Sequence, residues 1–349
     1  MLELSPEQYL EIENDVPPEH PRRTFLKALG WVGAGMGAAY AGLRMDSQLG
    51  DAVYGDTPPE VHLLEDSDAE KQFPHHFNVV GGGFGVYNIA ELASHVHNGL
   101  RQFGQTAYIK NSNGGLKVDA QEDALLNFLE ERGGEVVTLY GHSLDGMVMT
   151  EVGRNLLKHG VEVQAVLLDC TPERKYDIRP DKRTGAEFLA AVDRVTEVLD
   201  IGNGIVTRGA FESISRICQG RDDYDQIVKE ALAKIAPNNC SDRLLMKQAD
   251  YACSFNGAKF GQSYPPRTVV GKLRPADWNA DLTINNKSAL IGWRADSFPH
   301  LTVDDVAVMG GAHANPGNQE AHYTTTLIRY GKERDFYQPS VAKSNHHPI

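Results

Sequence analysis

The chain has 349 residues, 41% hydrophobic and 23% charged, room for one large α/β domain or two ordinary ones and a composition usual for globular proteins. A formal net charge of -13 argues against a nucleic-acid partner, because phosphate binding needs concentrated Lys and Arg. The four cysteines, Cys170, Cys218, Cys240 and Cys253, form no C-x-x-C pair, which argues against a zinc ribbon or a thioredoxin-type motif; buried thiols and one or two disulfides both stay open.

Near the N-terminus, Arg22-Arg23-Thr24-Phe25-Leu26-Lys27 precedes a weakly apolar, uncharged stretch, residues 28–43, with Ala39-Tyr40-Ala41 near its end. The stretch is short for a permanent membrane span. This R-R-x-F-L-K run resembles a twin-arginine (Tat) export signal, with an A-x-A-like cleavage site behind it. The resemblance implies Tat machinery as a partner, a periplasmic or extracellular destination, and transient or anchored membrane contact through residues 28–43. The segment before the arginines is long and acidic (Glu3, Glu7, Glu11, Glu13, Asp15), unlike a standard signal. Residues 1–42 are therefore set aside from the fold as an export signal or membrane anchor. Residues 43–75, acidic and carrying Pro58-Pro59, read as a linker.

From Phe77 the pattern alternates. Phe77-Asn78-Val79-Val80 reads as a strand ending in Gly81-Gly82-Gly83. Ile89, Leu92, Ala93, Val96 and Leu100 then mark one helix face. Thr106–Ile109 is the next strand, and Ala124, Leu125, Phe128 and Leu129 mark a helix stopped by Gly133-Gly134. Val136–Tyr140 is a strand running into Gly141, followed by a helix through Met147, Val148, Val152, Leu156 and Leu157, and by a strand at Val163–Leu168. Repeated β-α-β units with near-continuous apolar strands predict a mostly parallel, doubly wound α/β sheet flanked by helices. Residues 171–286 read as helical without a clear strand, with faces at Phe188–Leu199 and Ile227–Ile235. Alternation resumes with strands expected at Ser288–Trp293 and Val306–Met309 and a last helix through Tyr323, Leu327 and Ile328. The expected division is thus a core of residues 76–170 and 287–335, a helical cap insertion over 171–286, and a tail over 336–349.

The strongest local signal is Gly141-His142-Ser143-Leu144-Asp145-Gly146, where a strand meets a helix. A serine there sits on a tight turn at the carboxyl end of the sheet with its hydroxyl projecting into a cleft. The run resembles the G-x-S-x-G nucleophile elbow of the α/β-hydrolases, with one departure: the second glycine falls at Gly146, and Asp145 takes its place. A side chain there would crowd the elbow or, as an acid at a helix N-terminus, stabilise the turn through the dipole.

That resemblance implies the rest of the site. Ser143 is the nucleophile. Its base comes after the last strand, where Gly310-Gly311-Ala312-His313-Ala314 supplies His313; His322 is the nearest rival, expected inside the final helix. The family's acid follows the penultimate strand, and Asp296 stands just beyond Ser288–Trp293. Asp304 and Asp305 precede the next strand and so lie at the wrong end. The order Ser, Asp, His is that of the family. Oxyanion donors would be the amide of Leu144 and that of Gly83 or Phe84 in the loop Gly81-Gly82-Gly83-Phe84-Gly85.

The reaction implied is hydrolysis of an ester or related acyl bond in a small-molecule or lipid substrate, through an acyl-enzyme and without a cofactor. A non-catalytic binding protein that kept this fold is the alternative, with Asp145 as its best argument. A dinucleotide-dependent oxidoreductase is weaker: from Gly81 or Gly83 the third glycine of G-x-G-x-x-G would fall on Val86 or Asn88. The histidine pairs His75-His76, His346-His347 and His95-x-His97 read as surface residues rather than metal ligands.

Overall fold

The computed structural model describes residues 44–336 apart from 50, 53, 87, 199–239 and 310–315. The export-signal reading, Cys218, the face Ile227–Ile235, His313 and nearly all of the tail lie outside the described residues.

Seven strands form one sheet: β1 Glu60–Leu63, β2 His76–Gly81, β3 Gln105–Lys110, β4 Val136–His142, β5 Glu162–Asp169, β6 Val269–Pro275 and β7 Val303–Val308. Their order is β1-β3-β2-β4-β5-β6-β7, and all neighbours are parallel except the β1–β3 edge pair. The described helices that frame it are α1 Ser67–Gln72, α2 Ala90–Leu100, α3 Val118–Arg132, α4 Leu144–Lys158, α5 Pro180–Val198, α6 Asp242–Ser254, α7 Asn286–Gly292 and α8 Glu320–Glu333. This is the doubly wound α/β architecture expected.

Both sheet faces are covered, which is why the central strands are apolar throughout. On one face, Val137 and Leu139 of β4 pack with Leu125, Leu129, Val148 and Val152 of α3 and α4. On the other, Tyr140 packs with Val96 and Leu100 of α2 and Tyr323 and Leu327 of α8. Successive residues of one strand thus feed opposite cores. Gly133 closes α3 in the left-handed region, φ 64°, the conformation in which glycine stops a helix at least cost.

Three expectations change. The supposed linker contains the edge strand β1 and then α1, whose N-cap Asp66 accepts from the amides of Asp68 and Ala69. Ser288–Trp293 is not a strand: α7 occupies it, begun by the Asn285 side chain accepting from the Ser288 amide. The missing strand is β6, inside the span read as a cap, so the core resumes at Val269. Two charged residues disguise it. Lys272 is fully buried and donates to Asn286 Oδ1 at 2.7 Å; Arg274 pairs with Asp305 at 2.7 Å.

The described part of the cap is α5 and α6, joined through Leu189, Leu244, Leu245 and Ala249. Helix α6 is tied down at its start, where the Ser241 amide donates to Asn113 Oδ1 and the Ser241 hydroxyl to the Asn113 carbonyl. It then runs beside the glycine loop after β2: Gln248 Oε1 accepts from the Gly85 amide at 2.8 Å.

Candidate active site

Ser143 joins β4 to α4 with φ 53° and ψ -121°, in the region that non-glycine residues rarely adopt. Such strain, of order 1–3 kcal/mol, survives only where the surroundings over-determine it. Here the Ser143 amide donates to the Asp169 carbonyl at 2.8 Å. A Cβ on Gly141 would overlap the backbone of Gly146, and one on Gly146 would overlap the Thr171 side chain. The crossing of strand and helix therefore needs the glycine at Gly146, one residue beyond the usual position, and the elbow forms around that spacing. Leu144, the first residue of α4, has an amide with no intrahelical acceptor.

The glycine loop lies against this turn. A Cβ on Gly83 would stand 3.3 Å from His142 Cδ2 and 3.5 Å from Ser143 Cβ. The loop is held by side chains. Gly85 donates to Gln248 Oε1, and Asn111 Nδ2 to the Val86 carbonyl at 3.0 Å. Gly83 and Phe84 directly precede the Gly85 amide so held.

Strand register brings the other groups to the same rim. His142 is opposite Asp169, Asp169 opposite Leu273 and Pro275 opposite Val308. Beyond β6, Asp281 is fully buried. Its Oδ1 accepts from the amides of Thr283 and Ile284 at 2.8 and 2.9 Å, and its Oδ2 from Asn286 Nδ2 at 2.7 Å. Burial, and then the nearby carboxylates of Asp169 and Asp281, push the thiol of Cys170, directly after Asp169, well above its usual range. The Ala276 amide donates to the Val308 carbonyl at 2.9 Å, so the end of β7 lies beside the start of the segment that leads from β6 to Asp281.

Comparison with known proteins finds no matching family model and no matching curated protein. Solved structures match over most of the chain. One described as a carboxylesterase study of Nitrososphaera gargenis is 13% identical, covers 79% of this chain and 95% of its own, and has a TM-score of 0.50. An enol-lactonase from Burkholderia xenovorans is 10% identical, covering 78% and 96%, again at 0.50. A thioesterase domain is 15% identical, covering 78% and 98%, also at 0.50. The chain has the α/β-hydrolase fold.

Within that fold the residues singled out from sequence fare unequally. Gly83 lies against the Ser143–Leu144 turn, and Phe84, next along the loop, is exposed. His313 lies outside the described residues, and its rival His322 is exposed on α8. Asp296 does not stand at the end of a strand: it falls in the π-helical turn Trp293–Ser297, exposed, with its carboxylate 3.4 Å from Arg174 Nη1. Two acids follow the true penultimate strand, Asp277, which is exposed, and Asp281, which is buried.

Sequence reading also missed the buried Asp169. Its Oδ2 accepts from Tyr140 at 2.6 Å and His142 Nδ1 at 2.7 Å, and the Tyr323 hydroxyl donates at 3.1 Å. Burial alone would raise its pKa, but the neighbouring His142 and these donors hold it below the usual range. Asp145 behaves in the opposite way. Complete burial drives its carboxyl well above the usual range. Its role is therefore not that of an exposed charge on the helix dipole. The thiols of Cys170, Cys240 and Cys253 form no disulfide with one another.

Proposed function

We propose that this protein is a serine hydrolase that cleaves an ester or related acyl bond, with Ser143 as nucleophile, His313 as base and Asp281 in place of Asp296 as the acid. One observation carries the reading: Ser143 sits at φ 53° on a strand-to-helix turn, with a glycine loop packed beside it. A strained serine at that place has a functional rather than a packing explanation.

In the reaction His313 takes the Ser143 Oγ proton as the oxygen attacks the acyl carbonyl. The oxyanion accepts hydrogen bonds from the amide of Leu144 and from Gly83 or Phe84. Collapse of the intermediate sends the His313 proton to the leaving group. Water, deprotonated in turn by His313, then releases the acyl group. Asp281 holds the imidazole and balances its positive charge; it is fixed by two amides and by Asn286, and His313 follows the strand adjoining β6. Neighbours of the same fold described as a carboxylesterase, a thioesterase domain and an enol-lactonase fit an acyl substrate. Export through Arg22–Lys27 belongs to the same proposal and is tested by whether R22K/R23K protein stays in the cytoplasm.

The deciding experiment is fluorophosphonate labelling, followed by a chain-length series of p-nitrophenyl esters on wild type and Ser143→Ala. Labelling and turnover should both vanish in S143A. Wild-type turnover unchanged in S143A ends the mechanism.

A further inference from the structure

The glycine loop beside Ser143 has few side chains of its own to hold it. Four of the five residues from Gly81 to Gly85 are glycines, and the exception, Phe84, is 40% exposed. Its place is therefore set from outside. Beyond Phe84 the backbone turns at Gly85, φ 74°, and two side chains take the polar groups that follow. Gln248 Oε1 accepts from the Gly85 amide at 2.8 Å. Asn111 Nδ2 donates to the Val86 carbonyl, and Asn111 is itself fixed by Gln121 Nε2 at 2.6 Å.

Asn111 belongs to the core, but Gln248 belongs to the cap. It lies midway along α6, which is tied to the core on either side of it. Ser241 bonds Asn113 before the first turn, and the Tyr251 hydroxyl donates to Glu151 of α4 at 2.8 Å. Three residues before Gln248, Leu245 packs on the same glycine: a Cβ on Gly85 would stand 3.5 Å from Leu245 Cδ1. Gln248 is fully buried, yet its Nε2 has no hydrogen-bond partner among the described residues. A buried amide with its N–H donors unmet costs stability that leucine or methionine at the same place would not. Packing thus gives no reason for a glutamine here, whereas the bond to Gly85 does.

We infer that Gln248 is a positioning residue: from the cap it anchors the Gly85 amide and so keeps the amides of Gly83 and Phe84 where the oxyanion of the Ser143 adduct forms. The inference rests on the hydrolase reading and deepens it. Oxyanion donors act by being already in place, so whatever fixes the loop contributes to rate. A displacement of about 1 Å at a reacting centre can cost about a hundredfold. The anchored amide is one residue from Phe84 and two from Gly83, so a loop released at Gly85 is released next to both candidate donors. The cap thereby acts on the chemistry itself, through where α6 puts this one acceptor.

The test uses the full chain and compares wild type with Gln248→Met, which keeps the length of the side chain and removes the acceptor. Three readings are taken: kcat and KM for a p-nitrophenyl ester per fluorophosphonate-titrated site, the second-order rate of Ser143 phosphonylation, and hydrogen exchange of the segment 82–87. Q248M should lose about tenfold to a hundredfold in kcat and in phosphonylation rate, a fraction of the loss seen on deleting an oxyanion donor. Its KM should stay within about twofold, as for an interaction made only in the transition state. Exchange in 82–87 should quicken while that of β4 stays as in wild type. A glutamine that merely filled space would leave kcat per titrated site unchanged. That result, a loss confined to KM, unaltered exchange in 82–87, or exchange that quickens equally in β4 overturns the inference while leaving the hydrolase reading intact. If Q248M does not fold, Gln248→Asn, whose amide is one methylene short of Gly85, is judged by the same readings. Wild type that labels no faster than S143A overturns the hydrolase reading and this inference together.

Discussion

Asp169 Oδ2 lies 2.7 Å from His142 Nδ1, so a buried imidazole–carboxylate pair braces the residue immediately before Ser143. The same carboxylate accepts from Tyr140 and Tyr323, and its own backbone carbonyl takes the Ser143 amide. Asp169→Asn leaves at least one of these donors unsatisfied and should lower stability by about 3 kcal/mol in urea unfolding at pH 7. Because Asp169 is held below the usual range in the folded state, its stabilisation is present above the unfolded carboxyl value, about 3.9. That stabilisation is lost as pH falls through the lower folded value. The gap between wild type and D169N should therefore close in acid. A gap that stays constant from pH 7 to pH 2 would show that the pair carries no charge-linked stability.

Asp281 and Asp296 make opposite predictions. Asp281 is buried, held by two amides and Asn286, and follows the strand beside β7. Asp296 is exposed and paired only with Arg174. Loss of the orienting carboxylate in a serine triad costs about 10⁴ in kcat. Ester hydrolysis by D281N should drop on that scale, while D296N should stay within about twofold, as for a surface ion pair. The reverse outcome would return the role to Asp296.

Gly146→Ala tests the shifted elbow. A methyl there runs into the hydroxyl and methyl of Thr171, and Thr171 is itself anchored to the Gly141 and Asp169 carbonyls at 3.2 Å. Overpacking of this kind costs about 1–3 kcal/mol. Because it acts at the turn that strains Ser143, the phosphonylation rate should fall by more than the loss of folded protein explains. Equal labelling per folded molecule would show that the crossing tolerates a side chain.

Strands β2 to β5 and β7 could be read because both faces of the sheet are covered and their sequences are apolar runs. Strand β6 could not. Lys272 and Arg274 interrupt its apolar pattern, and their partners, Asn286 and Asp305, are distant in sequence. The short apolar run Ser288–Trp293 fits helix and strand equally, and a cap from Asn285 decided for helix. These errors had one consequence for the site. With the penultimate strand misplaced, the acid after it became Asp296 instead of Asp281. The strand-to-helix turn at Ser143 could be read because Gly141, Ser143 and Gly146 carry its geometry within six residues. The burial of Asp145 was unreadable, because the end of β2 at Gly81 that it packs against lies more than sixty positions away.

Lys272 provides a final test, of the buried charge beneath this rim. Its ammonium is fully enclosed and donates to Asn286 Oδ1 and the Leu273 carbonyl. Burial lowers its pKa, and the nearby Cys170, Asp169 and Asp281 only partly restore it. A base whose folded value lies below the unfolded one, about 10.4, loses its proton first in the folded state. The unfolded chain then binds more protons, and stability rises with pH between the two values. Wild-type stability should therefore climb relative to Lys272→Met across the alkaline interval that ends near the unfolded lysine value. Methionine keeps the length of the side chain but cannot titrate, so K272M supplies the baseline. Parallel stability curves for the two proteins from pH 7 to 11 would mean that Lys272 ionises alike in the folded and unfolded chain.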